Sequence, residues 1–437
     1  MIAQVLKLIF NKFKLFKKNK NKIFLAGISM LQLLGTYFTL ALIFRRIGLG
    51  VSSDLYLLTV AIQLFLTAIT SSLVQINWQI KLRSSHQDDK FFHKSSLALT
   101  QTLIISSIIS IIGVMVGISI DYFVMDYSVK DPHIIRDISL VFSINNIVQS
   151  LLFSHALIMR VSNRQFLAEF LILNSMLLTG LGIYLYHGSS IIMIAGIVTF
   201  SNLISLLLFR FCNQGVRFLP FKKLNPYLLR KSNLITIFSS MVNKSSPSVD
   251  RLILGYGQTG NISIYSLASS AMTATVTILE KTISHSISMT TIDNINKKNP
   301  NTFHEINKKI KAFFVLSIII IILLYTCRFF FSNLLTFIFN IDDANSLKIV
   351  FLIAGFFVAL VPYALGGTIV NFHYHTNDFI TPARIGVIGN ILSIPLKIIF
   401  FYFFGMYGLV LITIIAAWIL FSINYFLVRK INDKKIN

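Results

Sequence analysis

Acidic residues are scarce in this sequence: 16 Asp and Glu stand among 437 residues, against 39 Lys and Arg. Charged residues of both signs make up only 13% of the chain, about half the usual share in soluble domains. The ordinary reading of this length, two or three soluble domains, is therefore excluded. Cysteine is nearly absent as well. Cys212 and Cys327 fall near opposite ends of different apolar runs, hence at different depths, which argues against a disulfide. Eight prolines and 21 glycines with no Pro/Gly/Ser-rich tract leave no room for a long disordered linker. The sequence also lacks a Walker A loop, HExxH, GxSxG and any clustered acidic pair, so it carries no sign of an ATPase or hydrolase.

What is present is apolar. Hydrophobic residues make up 55% of the chain and the mean hydropathy is +0.74, which specifies an all-α polytopic membrane protein. A helix crossing the hydrocarbon needs roughly 20 apolar residues. Twelve stretches meet or nearly meet that length: 23–44, 55–76, 97–120, 134–158, 166–186 and 191–211, then 232–256, 262–289, 312–335, 347–372, 379–404 and 406–428. The seventh and eighth are the weakest, being rich in Ser, Thr and charge.

A net charge of +23 would suggest nucleic acid in a soluble protein, but the basic residues sit in short clusters between apolar runs. With twelve helices, 29 of the 39 Lys and Arg fall on one side, in 1–22, 81–94, 160–164, 210–231, 297–311, Arg384 and the tail from Arg429. Seven fall on the other: Arg45, Arg46, Lys130, Arg136, Arg251, Arg328 and Lys348. This asymmetry puts both termini in the cytoplasm; the bacterial inner membrane as the location is what the family resemblance given below implies. The basic start runs into an apolar stretch without a small-residue cleavage site, so it reads as a retained first helix. Residues 1–22 place Ile2, Val5, Leu6, Ile9, Phe13 and Phe16 opposite Lys7, Lys14 and Lys18, the pattern of an amphipathic helix on an anionic leaflet or of a basic tail that only sets topology.

The chain also repeats itself. FRRIGLGVSSDLYLLTVAI from Phe44 resembles VDRLILGYGQTGNISIYSLASSA from Val249, pairing Tyr56 with Tyr265. LILNSMLLTGLGIYLYHG around Asn174 resembles IGNILSIPLKIIFFYFFG around Asn390. These similarities divide the chain into six-helix lobes at 23–215 and 216–437. An even helix number gives both lobes the same orientation, so the repeats are parallel, about an axis along the membrane normal, and frame a central cavity.

Polar residues recur at helical spacing inside several spans. Thr236, Ser240, Lys244, Pro247 and Arg251 share a face of the seventh, and Ser266, Ser270, Thr273, Thr277, Glu280, Ser284 and Ser288 a face of the eighth. Gln32, Thr36 and Thr39 in the first span and Thr59, Gln63 and Thr67 in the second are milder versions. Lipid cannot satisfy such groups, so they are expected to line a cavity. Lys244 lies about 18 Å into its span at 1.5 Å per residue. It is either a cationic site for an anionic substrate or half of a structural pair with Glu280 or Asp250. Glu280 and Asp250 are the candidates for H+ or Na+ coupling; Asp250 and Arg251, near the outer end, could act as a gate or as snorkelling anchors. Lys397, deep in apolar sequence after Pro395, would extend the basic lining. His373, His375 and Asp378 lack metal-ligand spacing, and no cofactor is implied.

The segment DRLILGYGQTGNISIYSLA from Asp250 resembles the junction of the seventh and eighth helices in bacterial oligosaccharide-lipid flippases. So do Asn390, Pro395, YFFGMYGLV around Gly405 and Gly408, and the closing LVRK. That family belongs to the multidrug/oligosaccharidyl-lipid/polysaccharide exporter (MOP) superfamily. The resemblance implies two six-helix lobes that turn undecaprenyl-diphosphate-linked sugar repeat units to the periplasmic leaflet by alternating access, with membrane lipid and the polysaccharide assembly machinery as partners. Lys244, Arg251 and Lys397 would meet the diphosphate, and hydroxyls and amides the sugars. The lipid II flippases of the superfamily carry two further helices that this chain lacks. A multidrug extruder of the same fold is the alternative, but would favour cavity carboxylates, and a membrane polymerase or ligase would need a long outer loop.

Overall fold

The computed structural model describes residues 24, 27–28, 30–84, 91–123, 133–162, 164–219, 242, 245–279, 302–375, 378 and 380–436. Among them there is no strand. The helices are α1 (Met30–Ile47), α2 (Val51–Ser84), α3 (Phe91–Phe123), α4 (Ile134–Val161), α5 (Gln165–Leu185) and α6 (Ile191–Cys212). The second half has α7 (245–255), α8 (Asn261–Leu279), α9 (Thr302–Thr326), α10 (Arg328–Phe339), α11 (Asp343–Phe357) and α12 (Leu360–His375), then a helical run over Ile380–Ile436. Seven described helices are long and apolar enough to span a membrane, or eight with the bent pair α11–α12. The chain is a multi-pass, all-helical membrane protein.

The final run is two spans. Gly405 interrupts it with φ 59° and ψ −143°, dividing α13 (380–404) from α14 (406–436). The two double back on each other: a Cβ on Gly389 would lie 2.3 Å from the Leu420 side chain, and one on Gly408 would lie 2.1 Å from the Phe400 carbonyl oxygen. Only glycine permits that turn and that approach.

Two spans depart from the sequence expectation. The ninth, expected over 312–335, ends at Thr326, and a break at Cys327 starts the separate twelve-residue helix α10. The tenth, expected over 347–372, is α11 and α12 meeting at a 41° bend. Pro362 explains the bend, because it has no N–H to offer the Val358 carbonyl one turn back. Trp418 Nε1 donates to that carbonyl instead at 3.1 Å, and the Ser317 hydroxyl donates to the neighbouring Phe357 carbonyl at 2.6 Å.

The repeat is visible in the packing. Tyr56 on α2 meets Phe142 on α4 with ring centroids 5.8 Å apart, and Tyr265 on α8 meets Phe356 on α11 at 5.4 Å. Each is the second span of a lobe against the fourth. The N-terminal lobe is further tied by buried neutral side chains. Thr67 donates to Asn146 at 2.8 Å, Asn146 to Ser110 at 2.8 Å and Asn202 to Asn145 at 2.8 Å; Ser175 also bonds Asn202. Such bonds replace the hydrophobic effect, which lipid does not supply between helices.

At the end carrying the α1–α2 and α7–α8 turns, one apolar cluster joins both lobes: Phe44, Tyr56 and Ile183 with Leu254, Ile262 and Phe339. At the other end the lobes hold separate clusters, around Trp78, Leu82 and Leu99 in one and Ile306, Phe313 and Phe372 in the other. The first is here termed the closed end.

Candidate functional site

Helix termini leave backbone groups unpaired, and at the closed end each lobe supplies what the other lacks. Gly260, at the start of α8, has φ +90° and no side chain to cap the helix. Asp54 of α2 does so instead: Oδ2 accepts from Gly260 N at 2.6 Å, and Oδ1 from Ser263 N at 2.9 Å and Ser263 Oγ at 2.6 Å. An anion at a helix N-terminus is also favoured by the helix dipole. Arg45 of α1 does the converse for α10, donating to the Phe337 and Ile338 carbonyls at 2.7 and 2.9 Å. Ser248 adds a bond to the Ala61 carbonyl at 2.9 Å. The lobes are thus latched across one end.

Beneath the latch lies a cavity of about 810 Å³, lined by α1, α2, α7, α8, α11 to α14. Two cations and a carboxylate face it from near the closed end. Asp250 on α7 accepts from Lys397 Nζ at 2.6 Å through Oδ1 and from the Tyr265 hydroxyl at 2.8 Å through Oδ2. Lys397 Nζ, on α13, also donates to Ser246 Oγ at 2.8 Å. The pair is almost completely buried, Asp250 being 3% exposed and Lys397 2%. Arg251 points elsewhere, Nε to Ser266 Oγ at 3.0 Å and Nη1 to the Leu57 carbonyl at 3.2 Å, so it bridges the lobes. The cations outnumber the carboxylate among the described lining residues, and Ser269, Ser270, Thr273, Asn390, Ser393 and Asn424 add hydroxyls and amides.

The structure sorts the sequence candidates. Arg251, Lys397, Asp250, Ser270 and Thr273 come together at the cavity. Neither Asp250 nor Arg251 snorkels; Asp250 is paired within the cavity wall. Lys244, Thr236, Ser240 and Glu280 lie outside the described residues, as does the side chain of Thr277 and the basic segment 1–22. Gln32 and Gln63, expected in the lining, turn into the N-terminal lobe. Gln32 donates to the Glu169 carbonyl at 3.0 Å and to its carboxylate at 3.2 Å, and Gln63 donates to Gln149 at 3.2 Å. These two amides are satisfied by neighbouring helices of their own lobe, whereas Thr36 of the first stripe does line the cavity. Glu169 is also held by Arg160 at 2.6 Å. His373 and Asp378 pair at 3.2 Å, and no group of three metal-ligating side chains occurs among the described residues. Burial raises the Asp378 carboxyl, but Thr381 and His373 hydrogen bonds more than offset it, holding it below the usual carboxylate range.

The roles of Asp54 and Arg45 as caps, of Tyr265 as a carboxylate partner and of Ser246 are not legible in the sequence pattern. Gly260, a turn glycine that cannot cap the helix it precedes, was the one local signal for the first.

No family model matches the chain, and no curated protein does. Solved structures do match. A lipid II flippase MurJ in an inward closed conformation aligns with TM-score 0.75 over 95% of this chain and 90% of that one, at 17% identity. The chain has the MOP-superfamily fold. A MOP superfamily transporter from Pyrococcus furiosus, described by a reversed polarity of its binding pocket, gives TM-score 0.64 at 13% identity, covering 95% and 96%. A MATE transporter in complex with MaL6 gives 0.63 at 12% identity with the same coverage. These neighbours are transporters and flippases, not enzymes, and all share the two-repeat architecture.

Proposed function

We propose that this MOP-fold protein is a flippase that moves undecaprenyl-diphosphate-linked oligosaccharide, a repeat unit of O-antigen or another surface polysaccharide, across the bacterial inner membrane by alternating access. The observation that carries the reading is the cavity's charge: Arg251 and Lys397 against Asp250, with hydroxyls and amides around them. Cations in a partly desolvated site suit a diphosphate, and neutral polar groups suit sugars. Lys244, which shares the sequence stripe of Pro247 and Arg251, would add a third cation. The positive-inside count puts both termini in the cytoplasm and makes the latched end periplasmic, so the cavity would load from the cytoplasm. The lobes at 23–215 and 216–437 are the bodies that rock, driven in part by H+ or Na+ at Glu280 or Asp250.

Multidrug extrusion is the second reading, favoured by the MATE likeness. An organic cation would need a carboxylate, and Asp250, the one carboxylate among the described lining residues, is outnumbered there by Arg251 and Lys397. Reconstitution decides between them. Proteoliposomes should move a fluorescent undecaprenyl-diphosphate oligosaccharide between leaflets and leave ethidium untransported. Ethidium transport without lipid flipping would overturn the proposal.

A further inference from the structure

A lysine buried in a membrane protein costs several kcal/mol unless paired. Lys397 sits about 12 Å below the Gly405 turn, counting 1.5 Å per residue, and its ammonium has two described partners, Asp250 and Ser246. The pair is not sealed in a core, because Ser246, Asp250, Tyr265 and Lys397 all line the cavity. Asp250 is held from its other oxygen by Tyr265, while the hydrogen bonds of Arg251, its neighbour in sequence, go to Ser266 and the Leu57 carbonyl. Among the described residues the carboxylate's one ion pair is therefore with Lys397, at the wall of the cavity.

We propose that Asp250 is a stand-in anion: it occupies Lys397 while the cavity is empty and is displaced from it by the diphosphate of the incoming ligand. This rests on the flippase reading and gives it a cycle. A carrier must return empty, and a cavity with an uncompensated buried ammonium would pay a desolvation cost on every return. Asp250 removes that cost. On loading, the diphosphate takes the Asp250 place on Lys397, with Ser246 kept as the second partner, while Asp250 stays tethered to the Tyr265 hydroxyl. Affinity is thereby lowered by the fraction of time Lys397 is already occupied, which permits release on the far side.

The test is binding to the full-length protein in nanodiscs, with undecaprenyl diphosphate and inorganic diphosphate as separate probes. Asp250→Asn removes the competing charge and keeps the shape, so undecaprenyl diphosphate should bind about tenfold tighter or more, while turnover in proteoliposomes falls. Lys397→Gln should weaken binding, and Asp250→Asn/Lys397→Gln should lose the gain. Tyr265→Phe keeps both charges and loosens only the carboxylate, so it should bind several-fold tighter, and it serves if Asp250→Asn does not fold. A gain for inorganic diphosphate too assigns recognition to the headgroup; a gain for the lipid alone assigns it to headgroup and chain together; both support the displacement. Binding by wild type with an unchanged Kd in Asp250→Asn and Tyr265→Phe overturns the displacement and leaves the flippase reading standing. Absence of binding in every protein overturns both.

Discussion

Removing Asp54 should open the latched end. Its carboxylate accepts three hydrogen bonds from the start of α8 across the lobe interface, at 2.6, 2.9 and 2.6 Å, and the residue is 1% exposed. Hydrogen bonds to a charged group contribute about 1.5 to 3 kcal/mol each, but the Ser263 hydroxyl retains Ser53 as a partner at 2.9 Å, and water can reach Gly260 N once the lobes part. The net loss in Asp54→Ala is therefore nearer the value of one bond, about 2 kcal/mol. These contacts exist only in the closed arrangement, so the whole loss falls on that state, and the open-to-closed ratio should rise about 30-fold. Asp54→Asn should give a smaller shift, because its amide oxygen can still accept from the start of α8 while its NH2 cannot. The assay is pulsed electron paramagnetic resonance between spin labels at Ser189→Cys and Ala344→Cys, one per lobe and both exposed at that end, with Cys212 and Cys327 changed to serine. A longer-distance population should appear in Asp54→Ala. A distance distribution identical to wild type in a folded, membrane-inserted variant would refute the latch.

Three further outcomes are expected. A reporter inserted at Asn345 should be periplasmic and one fused after Lys435 cytoplasmic; the opposite result for either removes a span. Gly408→Ala should cost several kcal/mol, read as a lower thermal midpoint in detergent, because its Cβ would meet the Phe400 carbonyl at 2.1 Å, whereas Gly366→Ala, with nothing within 4 Å, should be near neutral. Equal midpoints would contradict the α13–α14 hairpin. Lys244→Ala should abolish surface polysaccharide with the protein still abundant, and Lys244→Arg should keep part of the export; normal export by Lys244→Ala excludes the lysine from substrate binding, and a fall in protein abundance identifies it as half of a structural pair.

Much of this protein is local. Long apolar runs can satisfy their backbone in lipid only as helices, so the helical class and the turn at Gly405 can be read along the chain. The pairing of Tyr56 with Tyr265 as repeat positions reappears in their equivalent contacts with Phe142 and Phe356. Helical periodicity also says which polar residues share a face. It does not say what that face meets. Gln32 and Gln63 follow the same spacing as Ser270 and Thr273, yet the first two face helices of their own lobe and the last two a cavity. Asp250 and Lys397 are 147 residues apart, and Asp54 lies 209 from Ser263. Neither contact leaves a trace in local pattern, because a charge's partner is set by which helices pack side by side and at what height. Composition and periodicity decide that this chain is a duplicated bundle in a membrane; which helices pack side by side within each lobe decides which buried charges are paired, and the docking of one lobe against the other decides which end is latched and where the cavity lies.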